Sequence, residues 1–402
     1  MIDSKEIYIH REIEELIAIQ SKDYPILSVM GPRQSGKTKL IRKYFPELPY
    51  YDLEEGDNFE IISKNPNRFV RDKCMEGVIF DEFHYIPELT QILKTVSDEL
   101  LTQANKEGIT SIPTRFVLTG SHNYLFDAKI RETMVGRAAL IKLLPLTIQE
   151  TGCKNPFELM YKGGYPILHV NGRQPSKFFP AYIENYLDRE VKTVHGIEDL
   201  RTFRKFMEIC AFLTGNFFDY ETVCRTLDLK KKTVEKWLTI LYSSYIIFFA
   251  GPYHKSSIQR FANKDKLYFY DTGLCANLIR GIHSPEDIKI NGDFKGKLFE
   301  NLIFSEMWKK NYIQGEYLDP AYFWHVTGEG GYEVDMVIQQ ATKLRAVEIK
   351  ASDKFDPHWF TNMQKHKMLQ EADKYVVYTG PTMDVEGGRA LNFTDLDQLF
   401  LR

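Results

Sequence analysis

The stretch GPRQSGKT, residues 31–38, governs how the rest of this sequence is read. It fits GxxxxGK[ST] in full, and each part has a physical use. Gly31 and Gly36 let the backbone curl so that its N–H groups face one point. Pro32, Arg33, Gln34 and Ser35 make the arc between them. A helix beginning at Gly36 adds the positive end of its dipole. Lys37 supplies a mobile charge for β- and γ-phosphates, and Thr38 offers a hydroxyl to Mg2+. The pattern carries weight only with a strand before it and a helix after it. Tyr24-PILSVM-Gly31 is a compact apolar run, and Lys39-LIRKYF follows with helical spacing. Both conditions hold, which a chance match in a glycine-containing turn would not require.

Working outward, Gly77-VIFDEFHYIPEL reads as a buried strand ending in Asp81 and Glu82. A parallel strand covered on both faces is a continuous apolar run. Asp81 is then placed to hold Mg2+ through water, and Glu82 to orient or deprotonate the attacking water. The competing reading, an exposed acidic pair closing a strand, is weaker beside a phosphate loop. Arg115-FVLTGSHNYL gives a third strand. Ser121 is the first candidate for a hydroxyl aimed at the γ-phosphate or the water, with Thr119 second. Strand-end turn chemistry accounts for both nearly as well.

At 402 residues the chain is long enough for two or three domains. Its 43% hydrophobic and 27% charged residues describe an ordinary globular composition. With a net charge of −3, any nucleic-acid binding must come from a local basic patch. The five cysteines are scattered without metal spacing and fit free thiols in a reducing compartment. The start, MIDSKEIYIHREIEEL, has no apolar signal core, and the most apolar run, Tyr245 to Ala250, is too short for a bilayer. The expectation is a cytoplasmic protein without a membrane partner.

Together GPRQSGKT, the strand ending FDE, the strand ending LTGS and Val135-GRAALIKLLPLTIQE resemble a group of bacterial and archaeal AAA-type ATPases, over almost the whole chain. The resemblance implies ATP as the nucleotide; no guanine-reading motif such as NKxD is present near the domain's end. It also implies Arg137 as an arginine finger that neutralises charge on the transferring phosphoryl group. Arg131 competes for that role. Action within the chain or from a neighbouring copy stays open, and with it the oligomeric state.

The first domain is expected over 1–155, and a helical, winged-helix domain over 156–280. Phe157 to Glu198 is helical and aromatic, with YKGGYP as a turn and Ile183-ENYLDREVKTV as an amphipathic helix. Phe203-RKFMEICAFL, Tyr220-ETVCRTLDL and Lys232-TVEKWLTILYSSYII follow as three helices with a tight second turn. Asp219 is a plausible cap, whereas Lys230 stands where the third helix would want an acceptor. Gly251-PYHKSSIQRF and Lys266-LYFYD would form the hairpin. Lys230, Lys231, Lys232 and Lys236, with His254, Lys255 and Arg260 of the wing, are candidate DNA contacts. A solvated face or a protein-binding module competes. Asp271 in Tyr270-DTGL reads as a helix cap.

Over 281–402 three segments line up. Gly296-KLFENLIFSEMWKK is a helix carrying Glu300, Tyr332-EVDMVIQ a strand carrying Asp335, and Leu344-RAVEIKAS a strand carrying Glu348 and Lys350. Strand residues two apart share a face, so Glu348 and Lys350 point together, and a neighbouring strand brings Asp335 beside them. Two carboxylates and a lysine suit metal-assisted phosphodiester cleavage. The order helix, three strands, helix, strand resembles the restriction-endonuclease-like core, and D-x12-E-x-K resembles its PD-(D/E)xK signature. The sequence departs from that pattern in having Val334, not proline, before Asp335. Gln364, on a helix expected over Pro357 to Leu369, is a weaker candidate. The expected whole is an α/β chain: a P-loop NTPase core with a parallel sheet, a winged helix, and a nuclease-like domain. Its expected activity is Mg2+-dependent ATP hydrolysis controlling a DNA- or protein-binding C-terminal half. The alternatives are an ATP-gated nuclease and a nucleotide-controlled binding switch.

Overall fold

The computed structural model describes residues 8–121, 136–170, 172–253, 265–314, 323–327, 333–340 and 343–400. The first part comprises α1 (Glu14–Asp23), β1 (Ile26–Met30), α2 (Lys37–Tyr44), β2 (Tyr50–Asp52), α3 (Gly56–Ser63), α4 (Pro66–Lys73), β3 (Val78–Asp81), α5 (Leu89–Lys106), β4 (Phe116–Gly120) and β5 (Ala138–Lys142). The five strands form one sheet in the order β2-β3-β4-β1-β5. Every pairing is parallel. All residues of β1, β3 and β4 are buried, which is why their sequences read as unbroken apolar runs. The register aligns Ile26 with both Phe116 and Ala138, and Met30 with Gly120 and Lys142. The phosphate loop, Asp81 and Thr119 therefore meet at the carboxyl edge of the sheet.

The middle part is helical: α6 (Ile148–Thr151), α7 (Pro156–Lys162), α8 (Pro166–Val170), α9 (Pro175–Tyr186), α10 (Leu200–Phe212), α11 (Tyr220–Leu227) and α12 (Lys231–Ser243). The amphipathic helix expected from Ile183 to Val194 is α-helical only to Tyr186 and continues as a π-helix over Leu187–Val194. Asp219 caps α11 by accepting from the N–H groups of Glu221 and Thr222. Lys230 sits at the N-cap of α12 with no side-chain cap bond. Strands β6 (Ile247–Ala250) and β7 (Lys266–Phe269) pair antiparallel. The expected first hairpin strand, from Gly251, is thus corrected: the strand is the apolar run before it, with Ile247, Phe248 and Ala250 buried. His254, Lys255 and Arg260 lie outside the described residues, as does Arg131. Helices α13 (Thr272–Leu278) and α14 (Pro285–Ile290) follow.

The last part opens with the 22-residue α15 (Gly292–Ile313). Strands β8 (Phe323–Thr327), β9 (Glu333–Gln340), β10 (Lys343–Lys350), β11 (Asp373–Tyr378), β12 (Met383–Val385) and β13 (Gly388–Asn392) form a mixed sheet ordered β12-β13-β11-β10-β9-β8. The expected helix over Pro357–Leu369 breaks into a 3-10 turn, α16 (Thr361–Lys365) and a second 3-10 turn, because His366 is extended at φ −77 and ψ 111.

The three parts share one buried apolar cluster, from Ile26 and Phe80 through Phe203 and Phe269 to Trp308 and Met336. Helix α15 is the bridge. Its buried Asn301 accepts from Phe269 N–H at 2.7 Å and donates to Phe269 carbonyl at 3.1 Å, which clamps α15 to β7. All five cysteines are free. Among the described residues no helix is long and apolar enough to cross a membrane.

Candidate functional site

The loop between β1 and α2 uses its glycines as the sequence suggests. A Cβ on Gly31 would lie 2.0 Å from the Leu143 carbonyl oxygen, and Gly36 takes φ 96. Gln34 adopts φ 63, an uncommon conformation for a residue with a side chain. Lys37 is buried, and its Nζ donates to the carbonyls of Gly31 at 2.9 Å and Pro32 at 3.1 Å. Burial lowers its pKa, opposed by the charges of Glu82 and Asp81. Arg33, Gln34, Gly36, Lys37, Thr38 and Glu82 line a cavity of about 480 Å3.

Asp81 is a hub at the end of β3. One carboxylate oxygen accepts from Thr38 Oγ1 at 2.6 Å and from the Tyr50 hydroxyl at 2.6 Å. The other accepts from Glu82 N–H at 3.1 Å and closely from Thr119 Oγ1. Thr119, the second-choice hydroxyl, therefore serves Asp81. Ser121 serves Glu82, donating through its N–H at 3.1 Å and its Oγ at 3.2 Å. Glu82 stands in the left-handed region at φ 48, and His84 Nδ1 lies 3.2 Å from its Oε2. Burial would raise the Glu82 pKa. The bond from His84 and the charges of Lys37, His84 and Arg33 outweigh it and hold this carboxyl well below the ordinary range.

Two side chains missed by the sequence reading, Asn185 of α9 and Arg189 of the π-helix, line the same cavity. A π-turn inside a helix often marks a functional site, and here it carries Arg189 and the buried Glu190. Glu190 pairs closely with Arg33, and Arg189 with Glu54. The loop arginine is thereby held by the middle part of the chain. On the other side of the loop, a second cavity of about 310 Å3 is walled by Tyr8, Ile9, Leu40, Pro166, Ile167 and Val170, and shares Gln34, Gly36 and Lys39 with the first.

Arg137 is corrected as a finger within its own chain. It immediately precedes β5, and Ile26 N–H donates to its carbonyl at 3.2 Å. This puts it at the amino edge of a parallel sheet, the edge away from the loop. Its side chain pairs with Asp98 of α5.

A chain of polar contacts leads from the loop to α15. Arg11 donates to the carbonyls of Ser35 at 3.0 Å and Leu144 at 2.7 Å, and pairs with Glu150 at 3.1 Å. Glu150 accepts from Glu12 N–H at 2.7 Å. Lys310 of α15 reaches Glu12 at 2.8 Å and Asp397 at 2.9 Å. Beside it, Glu306 accepts from Ile148 N–H at 3.0 Å and Lys309 donates to the Leu146 carbonyl at 2.9 Å. Asp271 caps α13 through Leu274 N–H at 2.8 Å, as expected, and also accepts from Gly164 N–H at 2.7 Å, tying DTGL to YKGGYP.

In the last part the structure brings Asp335, Glu348 and Lys350 together, with Glu300 beside them. Lys350 Nζ lies 2.7 Å from Glu348 and 3.9 Å from Asp335. Asp335 also accepts from Ile349 N–H at 2.7 Å. Burial first, and then the neighbouring carboxylates, push the Glu348 and Glu300 pKa values up. Lys266 of β7, unforeseen from the sequence, lies 2.6 Å from Glu333 and 3.4 Å from Glu300. The Tyr268 hydroxyl donates to Glu300 at 2.6 Å. Among the described residues no three acidic, histidine or cysteine side chains stand together as a ready metal-binding set, the carboxylates of this cluster included. Each is turned instead to an ammonium, a hydroxyl or a backbone N–H. Gln364 is exposed and stands against Gly387, three strands from β9, so it leaves the candidate set. Lys230, Lys231, Lys232 and Lys236 are exposed at the start of α12; Lys231 is 3.9 Å from Glu235.

Residues 23–152 match a family model described as AAA domain. Residues 154–285 and 295–396 match models each described as Domain of unknown function (DUF8612 and DUF4143). An uncharacterized protein of Mycobacterium tuberculosis is 23% identical over 367 residues, 89% of this chain and 77% of its own length. Another, of Methanocaldococcus jannaschii, is 21% identical over 372 residues, 84% of this chain and 76% of its own. A solved Walker-type ATPase of Pyrococcus abyssi gives a TM-score of 0.43 at 15% identity, over 68% of this chain and 97% of its own. The Aeropyrum pernix ORC2 protein in its ADP form gives 0.29 at 12% identity, over 61% and 88%. The family match and the parallel sheet with its loop agree on an AAA-type P-loop core.

Proposed function

We propose that the chain binds ATP in the cavity over GPRQSGKT and hydrolyses it by in-line attack of water on the γ-phosphate. One observation carries this reading: buried Lys37, and Thr38 hydrogen-bonded to Asp81 at 2.6 Å, sit on one cavity with Glu82. The hard-oxygen donors Thr38 and Asp81 suit Mg2+, and Ser35 has a buried Oγ without a hydrogen-bond partner among the described residues. Thr38 and Asp81 would hold Mg2+, which when bound would supply charge neutralisation for the phosphates. Lys37 trades its two carbonyl bonds for phosphate oxygens. Glu82, kept ionised by His84, Lys37 and Arg33, is a weak proton acceptor, which favours orienting the water over deprotonating it. Ser121 fixes the Glu82 carboxylate. Arg189 and Arg33 take the charge-stabilising role first considered for Arg137, and Arg137 acts only if it enters a neighbouring copy's site. The apolar second cavity, continuous with the loop, suits the base. Phosphate release with ATP and Mg2+ tests the reading: Lys37→Ala abolishes it and Glu82→Gln slows it by about a hundredfold or more. Wild-type protein that neither binds nor turns over ATP would sink it.

Hydrolysis is coupled, on this reading, to the middle and last parts through the Arg11–Glu150–Glu12–Lys310 contacts, with DNA or a protein as partner. A second reading, ATP-gated and metal-dependent DNA cleavage, is favoured by the convergence of Asp335, Glu348 and Lys350 beside Glu300. Plasmid nicking that needs Mg2+ and is lost in both Glu348→Ala and Lys350→Ala would support it; nicking that survives both excludes it.

A further inference from the structure

The carboxylate cluster is closed by a residue from outside its own domain. Lys266 begins β7 of the middle hairpin, yet its side chain is buried against α15 and β9, 2.6 Å from Glu333 and 3.4 Å from Glu300. Its backbone is anchored. Gly215 N–H donates to the Leu267 carbonyl at 2.9 Å, Leu267 N–H to the Asn216 carbonyl at 3.1 Å, and Asn301 clamps Phe269 two residues on. Only the four-carbon side chain is free to swing. Among the described residues four carboxylates, Glu300, Glu333, Asp335 and Glu348, stand around it against two ammonium groups, Lys266 and Lys350. With all four ionised, two negative charges would be left over, and three once Lys266 is gone. Glu348 is 94% buried, and its Oε2 has no hydrogen-bond partner among the described residues. That orphaned oxygen faces a cluster short of positive charge, a costly state unless a cation or proton is shared with it.

We propose that Lys266 is the built-in cation of this cluster and competes with a divalent metal ion for its carboxylates. The middle hairpin thereby holds a cation site of the C-terminal sheet shut. This rests on reading the cluster as a metal site, the premise of the second function above. An ammonium donates at most three hydrogen bonds and brings one charge; a divalent ion takes six or more oxygens and brings two. The two therefore demand different carboxylate arrangements. The observed one, with each acid turned to a lysine, a hydroxyl or a backbone N–H, is the arrangement an ammonium imposes. Withdrawing the Lys266 side chain frees Glu300 to turn toward Asp335 and Glu348.

The experiment uses the full-length chain without nucleotide and Mn2+ as the probe, read by loss of the free-ion electron paramagnetic resonance signal. Lys266→Met gains at least about tenfold in Mn2+ affinity over wild type, and adding Glu348→Gln removes the gain. Lys266→Arg binds like wild type. If Lys266→Met folds poorly, Lys266→Gln replaces it, and a rise in its unfolding temperature with Mn2+ that wild type lacks is the equivalent signal. Equal affinity in wild type and Lys266→Met, lost from both on Glu348→Gln, overturns the competition while leaving a metal site in place. No gain in either Lys266 variant, or a gain indifferent to Glu348→Gln, overturns the proposal together with the metal reading.

Discussion

Replacing Arg11 by alanine should damage the chain well beyond what one residue near its start suggests. The guanidinium is buried, donates to Ser35 inside the phosphate loop and to Leu144 after β5, and pairs with Glu150, whose side chain is 2% exposed. Removing one partner of a buried ion pair costs about 3–5 kcal/mol, because the remaining charge is stranded. Glu150 keeps two backbone donors, Glu12 N–H at 2.7 Å and Thr147 N–H at 2.9 Å, which argues for the lower end. Two carbonyls lose charge-assisted bonds, at about 1.5 kcal/mol each. The sum, about 6 kcal/mol, rivals the whole stability of a small domain. Urea unfolding followed by circular dichroism should show this loss. Arg11→Lys, keeping the charge but not the fork, should lose roughly half as much. Because Ser35 belongs to the loop, nucleotide affinity of Arg11→Lys should fall by about tenfold. A midpoint for Arg11→Ala within about 1 kcal/mol of wild type, with unchanged nucleotide affinity, would refute both the burial argument and the link to the loop.

Burial raises the Glu306 pKa from 4.5 to about 7, against the pull of Lys309 and Lys310. Between those pH values the unfolded chain gives up a proton that the folded chain keeps, so this group's contribution falls as pH rises, by up to about 3 kcal/mol. Glu306→Gln, which can still accept from Ile148 N–H, should flatten the stability profile from pH 5 to 8; an unchanged slope counts against it. Arg137→Ala breaks a half-exposed pair with Asp98 and should cost under about 1 kcal/mol with ATP affinity unchanged, as titration calorimetry would check. Loss of ATP binding would return Arg137 to the site. Replacing Lys230, Lys231, Lys232 and Lys236 together by glutamine should weaken duplex DNA binding and reduce its salt slope by roughly 0.9 per lost phosphate contact; an unchanged slope removes α12 from the interface.

The core was legible because its signals are local. GPRQSGKT, the FDE strand and the LTGS strand each pair an apolar run with polar residues at its carboxyl end, and a parallel sheet collects such ends on one edge. The same rule bears on Arg137: a residue just before a strand belongs to the opposite edge. Its position was readable once the direction of β5 was fixed, and the family resemblance obscured it. Tyr50, Arg189, Arg11 and Lys266 left no local trace. Tyr50 and Arg189 reach the site from elements 13 residues after and some 150 residues after the loop, and such side chains are recognisable only from topology. The π-turn that aims Arg189 has no sequence mark apart from the ordinary amphipathic pattern of Leu187–Val194. The hairpin strand slipped by several residues because YIIFFA looked like the end of a helix, whereas its antiparallel pairing with β7 makes Ile247–Ala250 a strand.

The arrangement constrains how a nucleotide could act at a distance. The loop is gripped from two directions: Glu190 of the π-helix holds Arg33, and Arg11 holds the Ser35 carbonyl. The first grip belongs to the middle part of the chain. The second leads through Glu150, Glu12 and Lys310 into α15, which carries Glu300 on the turn beside Asn301. A phosphate that draws Arg33 toward itself must loosen the Arg33–Glu190 pair or move Glu190 with it. Since α15 is clamped to β7 by Asn301, a shift of α15 carries the hairpin along and leaves the backbone of Lys266 fixed relative to Glu300. Any control of the carboxylate cluster by ATP must therefore work through the Lys266 side chain or through β9, where Glu333 is half-exposed and is the acid whose 2.6 Å bond holds that lysine in place.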